Sequence, residues 1–252
     1  MIRLSRLTLQ RSHTPEAISQ RLSSGPRQRY LKDMIFGAID GSITTFAIVS
    51  GVSGAGLSTG VIIVLGIANL LADGFSMAAS NFLGTRAENE FRKTMREREE
   101  AEIETYPEGE IEEVRQIFAL KGFEGKALDD LVEVITANQT VWVDTMMQEE
   151  HGLSSEDTNA WWSAGATFVA FIVAGCLPLL TFVLNYLTPG LIPSPFLVST
   201  GLTFLAFVLV GLAKGHFTSG GYFVSAMETL VVGAVAAGLA FFVGFGLQSI
   251  VV

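Results

Sequence analysis

Residues 60–84 read GVIIVLGIANLLADGFSMAASNFLG, and residues 85–105 continue as TRAENEFRKTMREREEAEIET. A helix that crosses the hydrocarbon core of a bilayer needs about 20 mostly apolar residues. The first stretch has that length and therefore predicts a membrane span. No Pro or Gly occurs between Ala87 and Glu104, so the span is predicted to continue directly into a charged helix.

Four further apolar stretches have the length of a span, at 34–54, 162–185, 196–213 and 228–250. Gly, Ser or Pro residues fill the short gaps between neighbouring stretches, as expected of turns. With 49% hydrophobic residues, the chain is too apolar for a soluble protein of its size. These features predict an all-α membrane protein of five transmembrane helices, with spans one and two in 34–85 and spans three to five in 159–252.

The charged residues predict which parts of the chain share a side of the membrane. Of the 16 Lys and Arg residues, seven lie in 1–33, eight in 86–157, and the last is Lys214. Five spans place all three regions on one side, and basic residues favour the cytoplasmic side. We therefore expect 1–33 to be a basic cytoplasmic arm and 86–158 to be a cytoplasmic helical insert between spans two and three.

The insert is strongly acidic, because 86–157 holds 20 acidic and 8 basic residues. Such a surface attracts cations and repels nucleic acid. No signal peptide is recognisable in the arm, and the single Cys176 allows no disulfide within the chain. We expect a multi-pass protein of a bacterial inner membrane, or of a vacuolar membrane in a eukaryote.

Ionisable residues inside apolar spans are costly and usually functional. The first span holds Asp40, and the second holds Asn69, Asp73 and Met77 at spacings that put all three on one helix face. Carboxylate and amide oxygens with a thioether sulfur suit a divalent transition metal such as ferrous iron. The alternative is an Asp in the headgroup region and a Met that only packs.

The insert is predicted to form three to four helices, with Pro107 and Gly109 ending the charged helix and further helices at 110–121, 125–137 and 140–151. Pairs of acids at helical spacing face the same side, where they repel unless a cation lies between them. Spacing alone does not choose among the many acids, since most acid-rich helices are simply solvated. Before any resemblance is considered, a pair such as Met146 and Met147 more often belongs to a hydrophobic core than to a metal site.

Several stretches in the same order resemble the vacuolar iron transporter family. They are DMIFGAIDG at 33–41, GIANLLADGFSM at 66–77, REEAEI at 98–103, WVDTMMQEEHGL at 142–153 and KGHFT at 214–218. The resemblance covers about residues 30–250. It implies a five-span homodimer with its pore between the two first-span helices, and a cytoplasmic domain that gathers ferrous iron as substrate.

The resemblance also selects site residues. The family's translocation residues fall on Asp40 and Met77. Its insert ligands fall on seven residues here: Glu99, Glu102, Glu110, Glu113, Met146, Met147 and Glu150. One departure concerns the pore, since the family commonly has a Glu where this chain has Asn69 and a small residue where it has Asp73. We expect Asp73 to replace that Glu.

The sequence thus predicts a secondary transporter that exchanges cytosolic ferrous iron for protons, with no resident cofactor. The sequence contains no G-x-x-x-x-G-K-[ST] motif, so ATP binding is not indicated. Two alternative hypotheses are a manganese transporter of the same fold and a membrane metal sensor or buffer. An enzyme is not indicated, because His13, His151 and His216 show no metal-type spacing and are predicted to be solvated polar groups.

Overall fold

The structure is a computed structural model that describes residues 9–10, 13–23, 30–154, 157–217 and 221–251. Within these ranges it contains helices and no strand. The helices are α1 (Pro15–Ser23), α2 (Leu31–Gly54), α3 (Thr59–Thr105), α4 (Pro107–Leu120), α5 (Gly125–Thr136), α6 (Gln139–Glu149), α7 (Ala160–Leu187), α8 (Pro195–Phe217) and α9 (Tyr222–Val251). Much of the predicted arm 1–33, and the turn residue Gly220, lie outside the described residues.

Five of the described helices are long and apolar enough to cross a membrane, as predicted. These segments are Leu31–Gly54, Thr59–Thr105, Ala160–Leu187, Pro195–Gly215 and Tyr222–Ile250. The predicted start of the last span at residue 228 was wrong, because α9 begins at Tyr222. Glu228 lies inside that helix, where its Oε2 accepts a hydrogen bond from Lys214 Nζ of α8 at 2.9 Å.

The continuous helix α3 confirms that the second span runs on into the charged stretch. Oppositely charged side chains one turn apart stabilise the polar half of a helix. Arg86–Glu90, Lys93–Glu97 and Arg98–Glu102 form such pairs at 3.2, 3.6 and 3.0 Å. Pro107 then begins α4 at a position where its missing N–H costs nothing. Gly109 lies inside α4, so the prediction that it helps to end the charged helix was wrong.

The chain divides into two compact units, Met1–Gly66 with Val169–Val252, and Ile67–Phe168. In the described part of the first, glycines let helices pack backbone against backbone. A Cβ atom on Gly41 would overlap the carbonyl oxygen of Phe171, and one on Gly244 would overlap that of Gly51. Small residues in membrane helices can serve either a bundle within one chain or the seam of a dimer. At these positions they serve packing within the chain.

The second unit has a hydrophobic core of its own, formed by the end of α3 together with α4, α5 and α6. Its buried members are Ile103, Val114, Leu128, Val132, Ile135, Trp142, Val143, Met146 and Met147. The side chain of Asn138 caps α6 by accepting a hydrogen bond from Val141 N at 3.2 Å. This core holds the charged end of α3, the start of α4 and the end of α6 in fixed positions.

Candidate metal site

The acidic residues selected by the resemblance come from three places around this core. Glu99 and Glu102 lie on α3, one turn apart, and Glu110 and Glu113 lie on α4. Glu150 directly follows α6. The short connection through Tyr106 and Pro107 brings α4 back beside the end of α3, so that acids distant in sequence can act on the same region.

Glu99 is the most deeply buried acid of the described chain. Only 1% of the residue is exposed. Its Oε2 lies 3.1 Å from Nε2 of His151, whereas its Oε1 is buried and receives no hydrogen bond within the described residues. Burial of an ionised carboxylate is costly unless a cation or hydrogen-bond donors compensate it. Glu99 Oε1 is therefore available to a cation or to a hydrogen-bond donor from outside the described residues.

Glu110 is the second buried acid, and its Oε2 likewise has no partner among the described residues. Burial raises the pKa of Glu110 to about 8, assisted by a carboxyl–carboxyl hydrogen bond with Glu99 and by the negative charges of Glu99, Glu113 and Glu102. Glu110 therefore holds its proton near neutral pH, next to the second buried carboxyl group, that of Glu99. A divalent cation could take the place of that proton and neutralise both.

Glu150 and His151 complete the cluster on the side of α6. Glu150 Oε2 lies 3.8 Å from His151 Nε2, and Glu99, Glu150 and His151 can each offer one ligand atom within 4.8 Å of the others. Partial desolvation of its carboxyl group raises the pKa of Glu150, although the residue as a whole is exposed. His151 opposes this shift in pKa, and the charges of Glu113, Glu99 and Glu102 add to it. These three residues have the donor atoms and spacing to hold a metal ion.

The prediction that His151 is a solvated polar group was wrong. Gly152 adopts a positive φ of +66°, which lets the chain turn after α6 so that Leu153 N donates to Met147 O at 2.8 Å. This turn holds His151 close to Glu99. The available signal was the position of His151 immediately after Glu150, within a segment already expected to bind metal.

Glu102 and Glu113 lie at the outside of the cluster. Glu113 is exposed and Glu102 is half-buried, and Glu102 Oε1 accepts a hydrogen bond from Arg98 Nε at 3.0 Å. Their charges still act on Glu110 and Glu150. Glu102 and Glu113 therefore contribute mainly to the negative potential at the surface of the cluster, and less to the buried part around Glu99 and Glu110.

Met146 and Met147 are packed into the hydrophobic core of this unit. They are 0% and 2% exposed, among side chains such as Val114 and Val143. Packing accounts for their burial without any metal. A ligand role for either sulfur remains a prediction.

The four residues predicted for the membrane pathway lie on two helices. Asp40 is on α2 in the first unit. Asn69, Asp73 and Met77 follow one another at single-turn spacing on α3 in the second unit, and all three are partly exposed. Asn69 Nδ2 is buried and has no hydrogen-bond partner within the described chain. The helix α3 thus carries this predicted stripe and, farther along, Glu99 and Glu102.

The chain is similar to known proteins over nearly its whole length. The sequence pattern that defines the VIT family matches residues 31–245. Vacuolar iron transporter 1 of Arabidopsis thaliana is 34% identical over 215 residues, which cover 84% of this chain and 83% of that protein. The vacuolar iron transporter of Plasmodium berghei (strain Anka) is 34% identical over 226 residues, covering 87% and 83%. Vacuolar iron transporter 2 of Oryza sativa subsp. japonica is 31% identical over 221 residues, covering 87% and 88%.

Proposed function

Because this chain belongs to the VIT family, we propose that it carries ferrous iron out of the cytosol across a membrane in exchange for protons. It is a multi-pass membrane protein, and its relatives are named as transporters rather than enzymes. Their names give iron as the cargo. The ferrous state of the iron, its exchange for protons and the direction of transport are not given by these names and are part of this proposal.

The observation that carries the proposal is the pair of buried carboxyls, Glu99 and Glu110, each with one oxygen that receives no hydrogen bond from the described residues. Three further acids, Glu102, Glu113 and Glu150, act electrostatically on this pair or on each other. Such a cluster favours a divalent cation strongly over water. We therefore assign it the role of gathering the ion from the cytosol, which is the side predicted for the insert.

In the membrane, Asp40 on α2 and Asp73 on α3 are the proposed ligands that alternate between metal and proton, with Asn69 and Met77 as further proposed ligands on α3. A carboxylate that loses its metal in a medium of low dielectric constant is poorly solvated in its charged form and takes up a proton. Release of iron on the far side would thus be coupled to proton uptake there. Return of the protonated site to the cytosolic side would complete the exchange.

Reconstitution into lipid vesicles tests the proposal. Ferrous iron should enter vesicles that contain the purified chain, and a pH gradient with an acidic interior should accelerate its entry. A protonophore should remove that acceleration. Iron flux that ignores the gradient would reject proton exchange, and the absence of any iron flux would reject transport. Competition by manganese in the same assay measures the preference between the two metals.

The family resemblance also motivates the proposal of a homodimer in the membrane, with the pore formed between the two α2 helices. The chain offers many apolar side chains at its surface, such as Phe36 on α2, as expected of helices that face lipid or another subunit. The mass of the detergent-solubilised particle tests this point. A particle that contains one chain and still transports iron after reconstitution at one copy per vesicle would exclude a shared pore.

A further inference from the structure

We propose that the imidazole of His151 is itself a ligand of the ion in the insert, together with Glu99 and Glu150, and that it gives the site a preference for transition metals over Mg²⁺ and Ca²⁺. This inference rests on the proposed function, since the ion held there is the one to be transported. The family resemblance implies only oxygen ligands from Glu and sulfur ligands from Met in the insert. His151 would add a nitrogen ligand to them.

The distances fit a common ion with a small movement of side chains. Nε2 of His151 lies 3.1 Å from Glu99 Oε2 and 3.8 Å from Glu150 Oε2. Two ligands that bind one transition metal at about 2.1 Å each lie roughly 3.0–3.5 Å apart, for octahedral or tetrahedral angles. The first distance is already in that range, and Glu150 is an exposed side chain that can move closer.

A second observation, the unsatisfied oxygen of Glu99, favours a cation in this cluster. Glu99 is 1% exposed, and its Oε1 has no donor among the described residues. His151 can donate one hydrogen bond through Nε2 to one carboxylate, so a simple His–Glu pair leaves the other oxygen unsatisfied. A metal ion between the imidazole and the carboxyl groups would use the Nε2 lone pair and compensate the buried charge at the same time.

The backbone holds His151 in position for this role. Its own N–H donates to Met146 O at 3.3 Å, and the next two residues turn the chain so that Leu153 packs on the core. A ligand held by a turn of fixed conformation loses little freedom when the metal binds. The position is therefore fixed by the fold of the insert, not by the metal.

The nitrogen donor affects which ion is preferred. Mg²⁺ and Ca²⁺ are bound almost entirely by oxygen ligands, whereas imidazole suits first-row transition metals. A centre of carboxylates alone would bind both classes. Replacing one oxygen ligand by His151 therefore favours an ion such as ferrous iron over the hard cations.

Pulsed electron paramagnetic resonance of the full-length protein loaded with Mn²⁺ tests whether nitrogen binds the metal. We expect nitrogen-14 coupling from a directly bound imidazole in the unaltered protein, and its loss in His151→Gln. His13→Gln is the matched control, because His13 is exposed and its Nδ1 contacts Leu9 O at 2.8 Å, far along the chain from the insert. Coupling that persists in His151→Gln, or its absence from the unaltered protein, would overturn the proposal.

Calorimetric titration with Co²⁺ and Ca²⁺ tests the selectivity. We expect His151→Gln to lose about tenfold or more in affinity for Co²⁺, the size of effect seen when the shell of a metal site is altered, with little change for Ca²⁺. His151→Asp keeps a donor at the position and should likewise lose the nitrogen coupling while it binds Ca²⁺ at least as well. An equal loss for both ions would show that His151 only supports the fold.

Iron flux in vesicles separates this inference from the proposed function. Nitrogen coupling in a protein that carries no iron would leave the ligand assignment standing and remove the transport role. Flux without nitrogen coupling would do the reverse.

Discussion

Glu110 shows at the scale of one residue how burial controls charge. Its pKa of about 8 lies above the ordinary value of 4.5, so between these values the folded protein holds a proton that the unfolded chain has released. Stability of the metal-free protein should therefore be greatest at the acidic end of this range and fall as pH rises towards 8. Thermal unfolding in detergent between pH 5 and 8 measures this slope.

The variant Glu110→Gln provides the control, since a neutral amide of nearly the same shape has no proton to lose. Its unfolding temperature should depend less on pH over the same interval. The opposite trend in the unaltered protein, with stability rising steadily from pH 5 to 8, would contradict a raised pKa at Glu110. Metal binding should in turn become stronger as pH rises, because the ion must displace this proton.

Asp73 and Asn69 differ in charge although they lie one turn apart on the same face of α3. Asp73→Asn should lower iron flux by about tenfold or more, because the only charge in this stripe is lost. Asn69→Ala should retain most of the flux, since Asn69 Nδ2 makes no hydrogen bond within the described chain. Initial rates in vesicles with matched protein content compare the two. The reverse ranking would refute the hypothesis that Asp73 takes the role of the Glu that the family commonly has at the position of Asn69.

At the scale of the element, close contact between α2 and α9 depends on glycine. A Cβ atom on Gly244 would overlap the carbonyl oxygen of Gly51, whereas Gly238 on the same helix has no neighbouring atom within 4 Å of such a Cβ. Gly244→Ala should therefore destabilise the protein by roughly 1–3 kcal/mol, as overpacking does. Gly238→Ala should be neutral or stabilising by up to about 1 kcal/mol, because Ala favours the helix.

Thermal unfolding of the two glycine variants in the same detergent makes the comparison. Each replacement adds one methyl group to α9, so differences in helix propensity cancel and the contact with α2 remains. Equal unfolding temperatures for the two variants would mean that α2 and α9 do not approach each other as closely as described.

At the scale of the whole molecule, one predicted span, α7, separates the insert from the α7–α8 connection. The two segments are therefore expected on opposite sides of the membrane. Glu108 on α4 and Thr188 after α7 are both exposed. After replacement of Cys176 by Ala, an impermeant maleimide should label Thr188→Cys in intact cells. Glu108→Cys should be labelled only after the membrane is opened. Labelling of both in intact cells would refute the cytoplasmic placement of the insert.

Much of the fold followed from the sequence because it depends on local properties. Hydrophobic length determined the five apolar helices, and the absence of Pro or Gly after Gly84 determined that α3 continues to Thr105. Errors occurred where local signals were weak. Gly109 resembled a helix end although its N–H bonds back to Tyr106 O at 3.1 Å. The first turns of α9 were assigned to a turn because glycines, among them Gly220 and Gly221, lie just before them.

The candidate metal site was also predictable only in part. Sequence alone determined an acidic insert suited to cations and a charge-bearing stripe on α3, because composition and helical spacing are visible in the chain. Only the tertiary structure decided that Glu99 and Glu110 are buried with unsatisfied oxygens, that Met146 and Met147 lie in a core, and that His151 contacts Glu99. Burial and contact arise from residues some 50 positions apart that packing brings together, and no local pattern records that packing.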